Sequence, residues 1–321
     1  MIDFTNCVEL PNNYGGSEQK KKLVYNGEDY LVKFPDPVRQ KNNPLSYMNN
    51  QYSEYIGCHI FESVGIPVQE TLLGVYHETT GKQKVVVACK DFTTSGRSLH
   101  EFSWVANSTT ILERKAEVCI EDVNEVIERN PLISHKQETK DAFWDMFVVD
   151  TLLANKDRHL NNWGFLDSEF GLKFSPIYDC GSCLHALMDD ERCKKMLLDR
   201  TEFKNETFNV YSAYRYKGKR INCAEFFQNP IDPLRAAVLR IVPKIDMEKI
   251  ADIVAATPYM SDVRKEFLTK SLAMRKELIL DKALKRCHTV TFDDIFGEID
   301  NLRQAGSVQQ HSRRDRESLE R

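Results

Sequence analysis

"VVDTLLANKDRHLNNWGFL", Val148 to Leu166, is the stretch that decides how this chain is read. It begins as an apolar helix and ends as an apolar strand. Between the two, a short crossing carries Asp157, Arg158, His159, Asn161 and Asn162. Polar groups buried without partners are costly. A chain that crowds them between two buried elements must supply something that satisfies them.

The next residues suggest what that is. Two short strands of similar length, 163–166 and 171–174, flank a turn around Asp167-Ser168-Glu169. If they pair as a hairpin, the chain returns to its start, and "PIYDCGSCL" (176–184) lies beside the crossing. Asp157, Asn162 and Asp179 then converge. Two acids and an amide suit a hard cation such as magnesium, which takes oxygen ligands and shares them with phosphate. The five-residue step from Asp157 to Asn162 lets the acid face an incoming hydroxyl while the amide oxygen faces metal. The kinase catalytic loop has this step, and a later Asp-containing turn supplies its second metal ligand. The plainer account is that Asp and Asn gather in turns because their side chains bond nearby backbone. Taken alone, the Asp157–Asn162 step reads that way; joined to "YDCGS" after a hairpin, it reads as a site. His159 stands open between a packed ring and a ligand-facing one.

Bulk properties narrow the classes. The chain has 321 residues, 41% hydrophobic and 29% charged, with a net charge of −4. That is ordinary for a soluble globular protein of two domains or two lobes. It offers no general attraction to nucleic acid or anionic membrane. No apolar run is long enough to span a bilayer, and "MIDFTNCVELPNN" lacks the basic and apolar regions of a secretory signal. Nine scattered cysteines fit thiols kept reduced in a cytoplasm. Export without a signal peptide stays open. "CGSC" (180–183) has redox or half-zinc spacing, and Cys193 and His185 could complete a zinc site. No second Cys-x-x-C pair accompanies it, and small buried thiols are the preferred reading.

Residues 1–100 read mainly as strands. "KKKLVYNGEDYLVKFP" (20–35) places two strands around Asn26-Gly27, a strong hairpin signal. A helix is expected from about Ser46 to Val64, with Gly65 as its cap and Pro67 beyond. Strands are expected over 68–78 and 82–92. From about residue 110 the chain turns helical. One or two helices are expected over 109–129. Another runs from Lys136 to Asn155, with Phe143, Met146, Phe147, Asp150 and Leu153 at helical spacing. Further helices are expected over 231–242, 246–256 and 261–287. Residues 186–228 show no clear period and read as an irregular loop region. The expected organisation is α+β and two-lobed: a β-rich N-terminal lobe at 1–92, a helical catalytic lobe at 93–303 and a disordered tail at 304–321. A cleft between lobes is a common ligand site.

"NKDRHLNNWGFL" followed by "PIYDCGSCL" resembles the signature of HipA-like serine/threonine kinases, and within them the compact cell-translocating kinase A type. The resemblance covers roughly residues 12–285. It implies a protein-kinase-like fold, distantly similar to phosphoinositide kinases, that uses ATP and magnesium. By this likeness Asp157 would orient or deprotonate a Ser or Thr hydroxyl of a protein substrate, and Asn162 and Asp179 would be the metal ligands. "YGGSEQKKKL" is similar to the phosphate-covering loop, with Gly16 as its turn. "YLVKFP" places Lys33 as the nucleotide-binding lysine, and "SEYIGCHIFESVGIPV" makes Glu54 its partner. "VVVACKDF" resembles the hinge strand, so Lys90, Asp91 and Phe92 would border adenine through backbone groups. His159 joins the nucleotide-side set.

The chain departs from the family in three places. Asn13 aligns where an autophosphorylated serine often sits, so that site is not transferred. The chain is shorter than many relatives and is expected to lack their N-terminal subdomain, which puts a DNA or antitoxin partner in doubt. Asp150 occupies a position that more often holds a neutral polar residue. Lys20 to Lys22 read as a solvated face that could attract phosphates. A phosphoinositide-type lipid kinase and a nucleotide-binding pseudokinase acting as an interaction module remain as rivals. A metal-dependent nuclease using His159 and Asn162 is a remote third, given the acidic balance and the lack of a basic stripe.

Overall fold

The structure, a computed structural model, describes residues 2–11, 19–35, 48–93, 96–108 and 118–288. Gly16, Asn13 and the tail at 304–321 lie outside the described residues. Five antiparallel strands form the first sheet: β1 (Val8–Leu10), β2 (Lys20–Tyr25), β3 (Glu28–Lys33), β4 (Thr71–His77) and β5 (Gln83–Lys90). Their order is β1-β2-β3-β5-β4. Asn26 and Gly27 turn β2 into β3 at φ +52° and +80°. A two-residue loop needs this left-handed pair to match the twist of the strands it joins, and Asn-Gly supplies it cheaply.

Helix α1 (Asn50–Ser63) connects β3 to β4. Gly65, at φ +81°, ends it, with its N–H donating to Glu62 O. One face of the sheet carries a small apolar cluster that includes Phe4, Leu23, Val32, Phe34 and Val86. The opposite face packs against α1, so that Ile56, Ile60 and Phe61 share a core with Leu73, Val87 and Cys89.

The rest of the chain is mostly helical. Strand β6 (Leu99–Glu101) leads into α2 (Phe102–Asn107), followed by α3 (Ile120–Arg129) and α4 (Lys136–Leu153). Strands β7 (Gly164–Ser168) and β8 (Gly171–Phe174) form the expected hairpin, and β6 adds an antiparallel third strand beside β7. Residues 186–228 are ordered rather than irregular. They form α5 (Asp190–Leu198), α6 (Arg200–Phe208), a hairpin of β9 (Tyr211–Tyr216) and β10 (Lys219–Asn222), and α7 (Cys223–Phe226). Asp189 and Asp199 cap the two helices with their carboxylates. Lys217-Gly218, both at positive φ, turns the hairpin. Then come α8 (Asp232–Ile241), α9 (Met247–Ala256), α10 (Asp262–Arg275) and α11 (Asp281–His288). The single helix expected over 261–287 is broken by a π-helical stretch, Lys276–Leu280. It begins where the fully buried Arg275 donates from Nε to Leu152 O at 2.7 Å.

A single apolar core runs from α1 through α4 to α8 and α10. Polar bonds fasten α1 to the helical part as well. Tyr52 Oη donates to Tyr259 O at 2.8 Å, and Ser53 Oγ to Cys183 O at 2.7 Å. Asn49 Nδ2 donates to Ala186 O and Met188 O. The helix that carries Glu54 is therefore seated on both parts of the molecule. No helix among the described residues is long and apolar enough to cross a membrane.

Candidate active site

The crossing is knitted from its own polar groups. Helix α4 ends with Ala154 in the left-handed region at φ +53°. Asn155 Nδ2 then donates to Asp150 Oδ1, and Asn155 Oδ1 accepts from the Asp157 N–H. Asn162 Nδ2 donates to Asp157 O at 2.8 Å. That bond fixes the amide and leaves its oxygen as the atom able to take a cation.

Arg158 satisfies the groups that remain. It is 2% exposed. Its Nε and Nη2 bind the two oxygens of Asp150 at 2.8 and 3.1 Å, a bidentate pair. Its Nη1 donates to Asn162 O, Tyr178 O and Asp179 O. One buried guanidinium thus joins α4, the crossing and the turn at Asp179. Sequence reasoning gave Arg158 no role. The signal was present, because Asp150 lies on the apolar stripe of α4 and a buried acid needs a cation. The departure noted at Asp150 is explained by this pair.

The β7–β8 hairpin returns the chain as its lengths suggested. Ile177 bridges to Val68, and the Asp179 turn arrives beside the crossing. Asp179 holds φ +59°, a conformation that costs a non-glycine residue about 1 kcal/mol or more. Its carbonyl is held by Arg158 and its carboxylate by Lys33 Nζ at 3.0 Å. Burial disfavours its charge. The Lys33 ammonium, aided by Arg158, overcomes that and keeps the carboxyl below the usual range.

Lys33 also meets Glu54 Oε2 at 3.0 Å, and Glu54 Oε1 accepts from the Cys180 N–H at 3.1 Å. Lys33 and Glu54 are both buried, the latter at 1% exposure. Gly57 sits one turn after Glu54, and its bare Cα admits Cys180; a Cβ there would lie 2.8 Å from Cys180 Cβ. Cys180 and Cys183 are buried free thiols, with burial pushing Cys183 well up. No group of three or more metal-binding His, Cys, Asp or Glu side chains gathers among the described residues.

Lys33, Asp157, Asn162 and Asp179 line a cavity of about 550 Å³, while Glu54 lies behind Lys33 and is not part of its lining. One wall has Lys20, Leu31, Lys33 and Gln69; another has Asp91, Phe92 and Thr93. The floor has Asp157, His159, Asn161, Asn162, Tyr178, Asp179 and Ser182. His159 is half-exposed, with Nε2 3.8 Å from Asp157 Oδ1. Tyr178 and Ser182 were not singled out from the sequence.

The three expected hinge positions divide. Lys90 lies off the cavity, with its ammonium near Glu28 and Glu70 and its N–H and carbonyl bonded to Glu70 O and Gln69 Nε2. The Asp91 N–H is taken by Asp29 O at 2.8 Å. Its carboxylate binds Thr93 and Lys22 Nζ. Asp91 and Phe92 remain on the cavity wall, but the Asp91 donor is not available to a base. Lys20 to Lys22 are not merely a solvated face. Lys22 bridges Asp29 and Asp91, Lys21 pairs with Glu9, and Lys20 reaches the cavity.

Known proteins resemble this chain over most of its length. The family description "HipA-like C-terminal domain" matches residues 13–258. The serine/threonine-protein kinase CtkA of Helicobacter pylori is 43% identical over 293 residues, spanning 89% of this chain and 88% of that protein. The crystal structure of the H. pylori proinflammatory kinase CtkA matches with a TM-score of 0.82 at 40% identity, covering 90% of this chain and 99% of that one. A chain from the Shewanella oneidensis toxin–antitoxin complex of HipA, HipB and operator DNA matches at 0.54 and 16% identity, over 87% of this chain and 68% of that one. At that identity the likeness is one of fold.

Proposed function

The chain belongs to the HipA-like family, and on that premise we propose how it works as a serine/threonine protein kinase: it moves the γ-phosphoryl group of ATP, with magnesium, onto a Ser or Thr hydroxyl of a protein. The observation that carries this reading is the contact of the buried Lys33 with both Glu54 and Asp179, on a cavity floored by Asp157 and Asn162. Three separate segments meet there, and turn chemistry alone would not bring them together.

Each group has a chemical part to play. Asp157 is half-exposed, and its carboxylate accepts the proton of the incoming hydroxyl or orients it. Lys33, anchored by Glu54, holds phosphate oxygens. Leu31 and Phe92 give the base an apolar slot. The donors fit magnesium: an amide oxygen whose nitrogen is already tied, and a carboxylate kept ionised by two cations. Magnesium bound by Asn162 and Asp179 would neutralise charge between the β- and γ-phosphates. The rest of the catalysis is positioning and fixed electrostatics, since phosphoryl transfer asks for little covalent help.

The test uses the purified full chain, γ-labelled ATP, and either casein or phosphatidylinositol vesicles, with magnesium or with chelator. Magnesium-dependent label on casein or on the chain itself is the expected result. Label on lipid alone would make it a lipid kinase. ATP binding with no label anywhere would make it a pseudokinase.

A further inference from the structure

We infer that Ser182 is a positioning residue for phosphoryl transfer, which holds the carboxylate of Asp157 so that its second oxygen meets the acceptor hydroxyl. The inference rests on the kinase reading above and goes beyond the residues that reading assigns.

The Asp157 side chain is 51% exposed. Its backbone is fixed on both sides, by Asn155 through the N–H and by Asn162 through the carbonyl. Those bonds do not set the rotation of the carboxylate. Ser182 does, because its Oγ donates to Asp157 Oδ2 at 3.1 Å. Among the described residues the other oxygen, Oδ1, has only the His159 ring near it, at 3.8 Å and therefore beyond hydrogen-bond reach. A carboxylate with one oxygen held and one open can take a hydroxyl proton from a single direction. Both Ser182 and Asp157 line the cavity.

Ser182 is itself well placed to act as a fixed point. It sits between Cys180 and Cys183, whose backbone closes a turn, Cys183 N–H to Cys180 O, at 3.2 Å. Cys180 N–H is bonded to Glu54, and Cys183 O to Ser53 Oγ, both on α1. Asp179 precedes Ser182 by three residues. The base, the metal-side carboxylate and the Lys33 anchor are thereby fixed relative to one short turn and one helix. A hydroxyl suits this role, because it donates to the carboxylate without adding a charge to compete with phosphate.

The experiment compares the native full chain with Ser182→Ala and Ser182→Thr. It measures label transfer to casein, release of inorganic phosphate without casein, and KM for magnesium-ATP. A charge-assisted hydrogen bond is the size of effect lost, so Ser182→Ala should lower kcat for transfer ~10- to 100-fold. KM for magnesium-ATP should stay within about twofold, since nucleotide binding does not use this bond. Hydrolysis should fall less than transfer, because water reorients to meet a rotating carboxylate while a protein hydroxyl does not. Ser182→Thr, which keeps the donor, should restore transfer to within about threefold of native. Native turnover in Ser182→Ala would overturn the inference alone. So would a loss in transfer matched by equal losses in hydrolysis and thermal stability and not rescued by threonine, which would mark Ser182 as structural. A native chain that labels no protein would overturn the kinase reading, and this inference with it.

Discussion

Replacing Lys33, the lysine proposed to hold phosphate, should cost stability as well as transfer, and the two effects should be inseparable. Lys33 is 8% exposed, and its ammonium lies 3.0 Å from the carboxylate of Glu54, itself 1% exposed. Lys33→Met keeps most of the aliphatic volume and removes the charge. Glu54 keeps its bond from the Cys180 N–H but faces Lys33's place with an uncompensated carboxylate. Breaking a buried pair from one side costs about 3–5 kcal/mol. That is a large part of the roughly 5–15 kcal/mol typical of a folded domain. The double variant Lys33→Met with Glu54→Gln should recover much of the loss, because glutamine still accepts from Cys180 while carrying no charge. Urea denaturation of native, single and double variants measures this directly, with Glu54→Gln completing the cycle. The reasoning fails if Lys33→Met loses less than about 1 kcal/mol, or if the double variant is no more stable than the single.

Three further outcomes are expected. With ligand at about 100 times its dissociation constant, magnesium-ATP should stabilise the native chain by about 2.7 kcal/mol; Asp179→Asn should lose the magnesium-dependent part while Asp157→Asn keeps it, and equal loss in a thermal-shift series would undo the division of roles. His185, buried between Glu206 and Arg275, is held neutral, with its ring lowered to about 4 by burial and by Arg275 despite the Glu206 bond. Since its folded value lies below the unfolded one, stability is full above pH ~6.5 and is lost as pH falls toward 4, by up to about 3 kcal/mol. His185→Asn, which tolerates the φ of +56°, should flatten that slope, and an unchanged slope would refute the assignment. Gly57→Ala should destabilise the chain and impair transfer, because its Cβ would press Cys180; the helix-propensity gain of about 1 kcal/mol seen instead would show that the turn gives way.

Much of the site was legible in the sequence because local rules wrote it there. Asn26-Gly27 set the register of β2 and β3, and therefore the face on which Lys33 emerges. Two short paired strands around a tight turn brought Asp179 back to Asp157. Gly65 stopped α1 where a left-handed residue was needed. Residues 186–228 escaped the same reading because α5 and α6 are short and mostly exposed, with few buried positions to print a period. Asp91 and Phe92 do line the cavity, but the sequence does not say that Asp29 O would claim the Asp91 N–H.

What the sequence determined by itself were most of the elements outside 186–228 and the two polar motifs, because caps, turns and periodicity act over a few residues. What only the tertiary structure decided was how those motifs are held. Arg158 reaches a helix, a loop and a distant turn at once. Arg275, fully buried at the end of α10, reaches Leu152 across 123 positions. Ser182 meets Asp157 across 25 positions. Each is a buried or site-facing polar group whose partner is fixed by packing in three dimensions, and no spacing along the chain encodes that choice.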